Sequence, residues 1–308
     1  MTLKIGTRGS KLALVQADMV IDGLRRVHPG IDIERVIITT SGDWNPSSGE
    51  TRLLEQAGGK GLFAREIEQA LLSGAVDVGV HSLKDMPSFL PTGLALDHVL
   101  ERADLRDAFI SYTYSSLGDM PAGAVIGTSS LRRQALILSR RPDLRVVPLR
   151  GNVDTRLQKL KDGQVDATYL AMAGLSRLGI TGDMIHPIDT HDMLPACAQG
   201  IVGLETRSDD AQTRAYLAPL HHAVTGLCAA AERAVLQVLD GSCHTPIGAM
   251  ACITDGVMIL EALVASPDGG TIYRDKSETR PEHVQSARAA GTALGQRLKD
   301  KLPPGFLA

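Results

Sequence analysis

The chain has 308 residues, a net charge of −3, 44% hydrophobic residues and only 3% aromatic ones. That length supports roughly two or three domains with an ample core. The slight acidity and the scarcity of stacking rings exclude a broad nucleic-acid face, and the apolar stretch from about Ala223 to Leu239 is interrupted by Glu232 and Arg233, which excludes a membrane helix.

Hydrophobic periodicity predicts a strand at Lys4–Thr7, a helix at Ser10–Val27 with Ser10 as its cap, and a strand at Ile31–Thr40. A stretch without periodicity covers residues 41–60 and holds the sole tryptophan, Trp44; a functional lid and a decorative insertion both remain open. A helix at Gly61–Leu72 and a strand at Val76–His81 follow. The same order returns as strand Ala124–Thr128, helix Ser130–Arg140, strand Arg145–Leu149, helix Asn152–Lys161 and strand Val165–Ala171. Matched wording supports the repeat: Ile5-Gly-Thr7 answers Ile126-Gly-Thr128, and Gly74-Ala-Val-Asp77 answers Gly163-Gln-Val-Asp166. The expected architecture is α/β, with two similar doubly wound domains. Ile201–Glu205 reads as a strand crossing back to the first domain, and Asp209–Leu239 as helical. Ile247–Ile253, Val257–Ala265 and Thr271–Thr279 read as an antiparallel meander with turns at Asp255-Gly256 and Asp268–Gly270. A helix over about Pro281–Leu302 completes a small α+β third domain.

Six arginines stand where arginine does least for the fold. Arg8, Arg132, Arg133, Arg150, Arg156 and Arg177 lie mostly where an apolar run gives way to the Gly/Ser/Asn-rich start of a helix. A helix N-terminus disfavours cations and favours anions, so the pattern points to anions supplied from outside. A guanidinium fork suits carboxylate or phosphate. Two facing domains would form a cleft beyond the carboxyl ends of their strands, where these residues fall.

Asp85 follows a predicted strand in HSLKDMP (81–87) beside Lys84; a proton-handling or cation-stabilising carboxylate and a turn-forming aspartate both fit. Lys60, in GGKGLF (58–63), lacks the spacing of a nucleotide loop and suits a substrate carboxylate better. Cysteines 197, 228, 243 and 252 show no metal spacing, and a reduced cytoplasmic protein is expected. Cys243 alone sits in a Gly/Ser/Pro loop, as a spare thiol or as a nucleophile. His221-His222 reads as structural. A solute-binding or effector-sensing module for an anionic ligand is the rival to an enzyme.

Taken together, TRGSKLAL (7–14), GGKGLF (58–63), VHSLKDMP (80–87), IGTSSLRRQ (126–134), LRGNVDTR (149–156), AGLSRL (173–178), Gln199-Gly200 and the Glu232-Arg233 and GSCHTPIG (241–248) segments resemble the porphobilinogen deaminase family over nearly the whole chain. The resemblance implies two periplasmic-binding-protein-like domains and a third carrying the cysteine loop: residues 1–99 completed by 198–218, then 100–197, then 219–308. It implies a monomer acting on the small molecule porphobilinogen, with no metal and no nucleic-acid or membrane partner. Four porphobilinogens would join head to tail with loss of ammonia on a dipyrromethane cofactor held as a thioether by Cys243. Asp85 would be catalytic, stabilising charge on the electron-poor pyrrole. Lys84, Thr128, Ser130, Arg132, Arg133 and Arg150 would bind the cofactor, and Arg8, Ser10, Lys60, Arg156, Arg177 and Gln199 the substrate. Gln56, where a lysine is expected, and His244 depart from the pattern.

Overall fold

LKIGT forms β1 (Leu3–Thr7), buried at every position except Lys4, as a strand covered on both faces should be. The Ser10 hydroxyl accepts the Ala13 N–H and opens α1 (Lys11–Val27), which ends on Arg25 and Arg26. A polar cap at the start and cations in the last turn both suit the helix dipole. The computed structural model describes residues 2–40, 64–239 and 246–307. The chain divides into two compact units, residues 1–102 with 201–226 and residues 103–200 with 227–308.

The first unit contains β1, β2 (Ile33–Ile37), α2 (Arg65–Leu72), β3 (Val78–Ser82), β4 (Leu94–Val99) and the returning strand β10 (Val202–Arg207). Its sheet runs β2-β1-β3-β10-β4, parallel across the first three strands, with β10 antiparallel to both neighbours. The second unit holds β5 (Asp107–Ile110), β6 (Val125–Gly127), α3 (Leu131–Leu138), β7 (Arg145–Val147), α4 (Val153–Lys161), β8 (Ala167–Ala171), α5 (Met172–Arg177) and β9 (Ile185–Pro187). Its sheet runs β7-β6-β8-β5-β9 with the same pattern of directions. Each sheet thus takes as its fourth strand the one that the chain forms just after passing between units. The expected strand at Ile201–Glu205 is β10, and the repeat read from short sequence matches is a repeat of topology.

The predicted helix over Asp209–Leu239 is interrupted. α6 (Ala211–Leu217) runs into a 3-10 turn at Ala218–Leu220, and α7 (Ala223–Leu239) starts afresh beyond His221-His222. Pro219 has no N–H to continue the ladder. The histidines serve the break: His221 Nδ1 accepts the Val99 N–H at 3.3 Å, and His222 Nδ1 meets Thr225 Oγ1 at 2.8 Å. The meander is β11 (Ile247–Thr254), β12 (Val257–Ala265) and β13 (Ile272–Thr279), backed by α7 and α8 (Val284–Lys301). Although this sheet has its own core, Leu263 and Ala265 enter the cluster of Phe109, Ile126, Leu136 and Tyr169, which ties it to the larger sheet of the same unit. No helix among the described residues is long and apolar enough to cross a membrane.

α8 lies against α7 closely enough to depend on glycine. A Cβ at Gly291 would meet the Ala231 carbonyl oxygen at 2.1 Å, and one at Gly295 would meet Val238 Cβ at 2.9 Å. Backbone cannot yield as a side chain can. Gly291→Ala is therefore expected to lose about 1–3 kcal/mol in a denaturant titration, and a gain of stability from the better helix former would contradict this packing.

Candidate active site

A small cavity of about 80 Å³ in the first unit is lined by Arg8, Ser10, Gln16, Ala64, His81, Ser82, Asp85 and Met86, among others. Its walls come from the carboxyl ends of two parallel strands. Arg8 follows β1, and β3 leads into a 3-10 turn at Leu83–Asp85 that also carries Lys84. The turn is pinned from below: the Leu83 N–H donates to Ile201 O at 2.9 Å, and Leu83 and Met86 are each 1% exposed. Asp85 itself is exposed. It has no hydrogen bond or ion pair with a described residue, so both its oxygens stay available. Beneath it, Gln16 Nε2 donates to Ser82 Oγ at 2.8 Å, and His81 Nε2 lies 3.0 Å from Glu205 Oε2.

The second unit repeats the arrangement with cations. Thr128 stands directly after β6, where its hydroxyl accepts the Ser130 N–H at 3.2 Å, and Ser130 caps α3. Arg150 follows β7, and its guanidinium makes no hydrogen bond or ion pair with a described residue; Lys159 Nζ donates only to its carbonyl. Asn152 caps α4, and Arg156 Nε bends back to Gly151 O at 2.8 Å. Arg177, in the last turn of α5, donates to Gly200 O at 2.7 Å. Its Nε is buried without a partner, and burial lowers the guanidinium's pKa with no carboxylate to offset it. A cation left in that state fits an external anion, so the donor set suits a carboxylate-bearing group.

Arg132, Arg133 and Gln199 share an internal partner that the sequence reading did not name. Asp107, 0% exposed, receives Arg132 Nη2 at 2.7 Å and Arg133 Nη2 at 2.6 Å, one guanidinium on each oxygen. The other forks donate to Leu194 O and Tyr169 O, and Gln199 Nε2 adds a bond of 3.0 Å to Asp107. Here the anion that meets the arginines is internal. Burial pushes the Asp107 carboxyl up, but the two guanidiniums overcome this and hold it far below the usual carboxylate range. Sequence reasoning missed Asp107 because its partners lie at least 25 positions away. It missed His81 because an HSLKDMP motif draws attention to the lysine and aspartate. Lys60, Cys243, Gln56, His244, Trp44 and the expected lid at 41–60 lie outside the described residues.

The fold defines a doubly wound α/β protein whose strand ends carry cationic and hydroxyl donors of the kind that suit an anion. A family model described as porphobilinogen deaminase, dipyromethane cofactor binding domain, matches residues 3–215, and one for the porphobilinogen deaminase C-terminal domain matches residues 226–300. The chain is 47% identical over 309 aligned residues to a chloroplastic porphobilinogen deaminase of Oryza sativa subsp. japonica, covering 99% of this chain and 85% of the rice protein. It is 46% identical over 296 residues to the porphobilinogen deaminase of Chromobacterium violaceum, covering 96% of this chain and 94% of that protein. Among solved structures, a methionine-binding protein, MetQ, aligns with a TM-score of 0.44 and 15% identity, covering 75% of this chain and 94% of the other. The chain belongs to the porphobilinogen deaminase family. It is an enzyme, a transferase that condenses four porphobilinogen molecules head to tail with release of ammonia, giving hydroxymethylbilane, and its cofactor is dipyrromethane.

Proposed function

We propose that Asp85 is the catalytic carboxylate of this reaction and that Cys243 carries the cofactor through sulfur. The observation that carries the reading is the Asp85 turn: an unspent carboxylate on a rigid support, in the same cavity wall as Arg8 and Ser10. Dipyrromethane, when bound, supplies the pyrrole end to which substrate units are added. Asp85 would accept pyrrole N–H groups, stabilise positive charge as ammonia departs and manage the associated proton. Arg150 and Arg177, with Arg156, Thr128, Ser130 and Lys84, would hold acetate and propionate groups of the cofactor and the growing chain, with Arg8, Ser10 and Lys60 on incoming substrate. Arg132 and Arg133 would also bind the cofactor and Gln199 the substrate, each held in place by its bond to Asp107, with the Nε of both arginines left without a partner. A thiolate at Cys243 would hold the cofactor by a carbon–sulfur bond, which resists hydrolysis as an ester would not.

The same reading takes residues 1–99 with 198–218, 100–197 and 219–308 as three domains, supported by one sheet in each. It also takes the enzyme as a cytoplasmic monomer without a nucleic-acid partner, the last supported by its acidic charge and few aromatics. Intact-mass measurement tests the anchor. The purified protein is expected to be heavier than its sequence by one dipyrromethane, and Cys243→Ser to remove both the excess and the activity. A fully active protein of unmodified mass rules Cys243 out.

A further inference from the structure

One buried cluster in the wall of the Asp85 cavity is not used by the reading above. His81 and Glu205 are 7% and 0% exposed, and His81 is among the residues that line the cavity. Glu205 stands opposite Gly79 in the antiparallel pairing of β3 and β10, two positions from His81 on the same face. Gly79 leaves room for this contact: a Cβ there would lie 2.8 Å from His81 Nε2. Glu68 of α2 closes the group from the helix side. Burial first, and then the charge of Glu205, pushes the Glu68 carboxyl up to about 7. Both Glu205 Oε1 and Glu68 Oε1 are buried without a hydrogen-bond partner. The charged groups around the ring are Glu205 from β10, Glu68 and Glu66 from α2, and Arg8 and Asp85 on the cavity wall.

Two buried carboxylates beside one imidazole cannot all stay ionised cheaply, and Glu68, pushed up by burial and by Glu205, is the carboxyl that keeps its proton most readily. An ionised Glu205 only accepts hydrogen bonds, and the 3.0 Å contact therefore places a proton on Nε2 and leaves Nδ1 basic. The reaction needs such a base. Each addition breaks one C–N bond and forms one C–C bond. When the substrate's aminomethyl group enters as ammonium, the nitrogen leaves as ammonia with its bonding electrons, and the attacking pyrrole carbon then loses its hydrogen as a proton.

We propose that His81, held by Glu205 and backed by Glu68, accepts the proton released from carbon in each addition, a role beside that of Asp85 in the same cavity. The inference rests on the Asp85 reading. The resulting imidazolium is neutralised by Glu205, and the proton leaves between turnovers. The proton from carbon thus goes to His81, and Asp85 keeps its place against the developing cation.

The test is the pH dependence of turnover in the loaded enzyme for His81→Gln, Glu205→Gln and Glu68→Gln, with intact mass and thermal unfolding recorded for each. His81→Gln is expected to keep the cofactor mass, lose about 10²-fold in kcat with KM within about twofold, and lose the near-neutral limb of the profile. Glu205→Gln is expected to lower kcat in the same way. Glu68→Gln, further from the cavity, is expected to keep most of kcat and displace that limb. Wild-type kcat and pH profile in His81→Gln overturn the proposal, as does an effect confined to KM. Should His81→Gln and Glu205→Gln fail to fold, an unmoved limb in Glu68→Gln overturns it alone. If Asp85→Asn also turns over normally, the underlying site reading has failed; if Asp85→Asn is inactive and His81→Gln is not, only the histidine's role has.

Discussion

Asp85→Asn is expected to lower kcat by about 10²–10⁴-fold while the protein keeps its fold and the mass of its cofactor. The substitution preserves shape and removes charge. Little of the structure depends on this carboxylate, which is exposed and bonds to no described residue, whereas the turn beneath it is held by buried Leu83 and Met86 and by the bond to Ile201. Loss of charge should therefore fall on the transition state, where positive charge develops, and spare substrate affinity. Single-turnover and steady-state rates of the purified variant, with its intact mass, decide the matter. A kcat within threefold of the parent would remove Asp85 from the chemistry, and a loss seen only in KM would reduce it to a binding group.

Asp107→Asn should produce the largest loss of stability of any change considered. It would leave Arg132 and Arg133, 5% and 6% exposed, without their shared counter-ion. Breaking a buried ion pair on one side costs about 3–5 kcal/mol because the abandoned charge cannot reach water. Urea titration measures this directly, and a change below about 1 kcal/mol would mean the guanidiniums find other partners. A signature in pH should accompany it. The folded-state pKa of Asp107 lies below its unfolded value, so its stabilisation is present above the ordinary carboxylate range and lost as pH falls towards the folded value. The variant should lack that part of the acid dependence. The two substitutions separate function from support: one spares the fold and stops turnover, and the other loosens the platform on which Thr128 and Ser130 stand.

Much of the candidate site was legible in the chain because its residues sit at strand-to-helix junctions, where local pattern and chemistry coincide. Ser10 was readable as a cap, and Ser130 and Asn152, expected as the first residues of their helices, turn out to cap them; each accepts the N–H three residues on. Asp85, Arg8 and Arg150 were placed correctly beyond their strands for the same reason. The meander and the duplicated strand–helix order followed from periodicity and turn residues. The strands β4, β5 and β9 were not foreseen: they are short or lie at sheet edges, and sheet pairing stabilises them more than their own sequence does.

What the sequence determined by itself was the kind of group at each junction, since caps, turns and alternating apolar residues act over three or four positions. Only the tertiary structure decided what each charge meets. Arg132 and Arg177 both follow strands and look alike as sequence, yet one is neutralised by Asp107 and the other is half-buried with no carboxylate beside it. His81 became interesting only when Glu205, 124 positions away, was paired beside it. Coulomb interactions and desolvation depend on distance through space and on access to water, and chain order specifies neither until the sheets have formed.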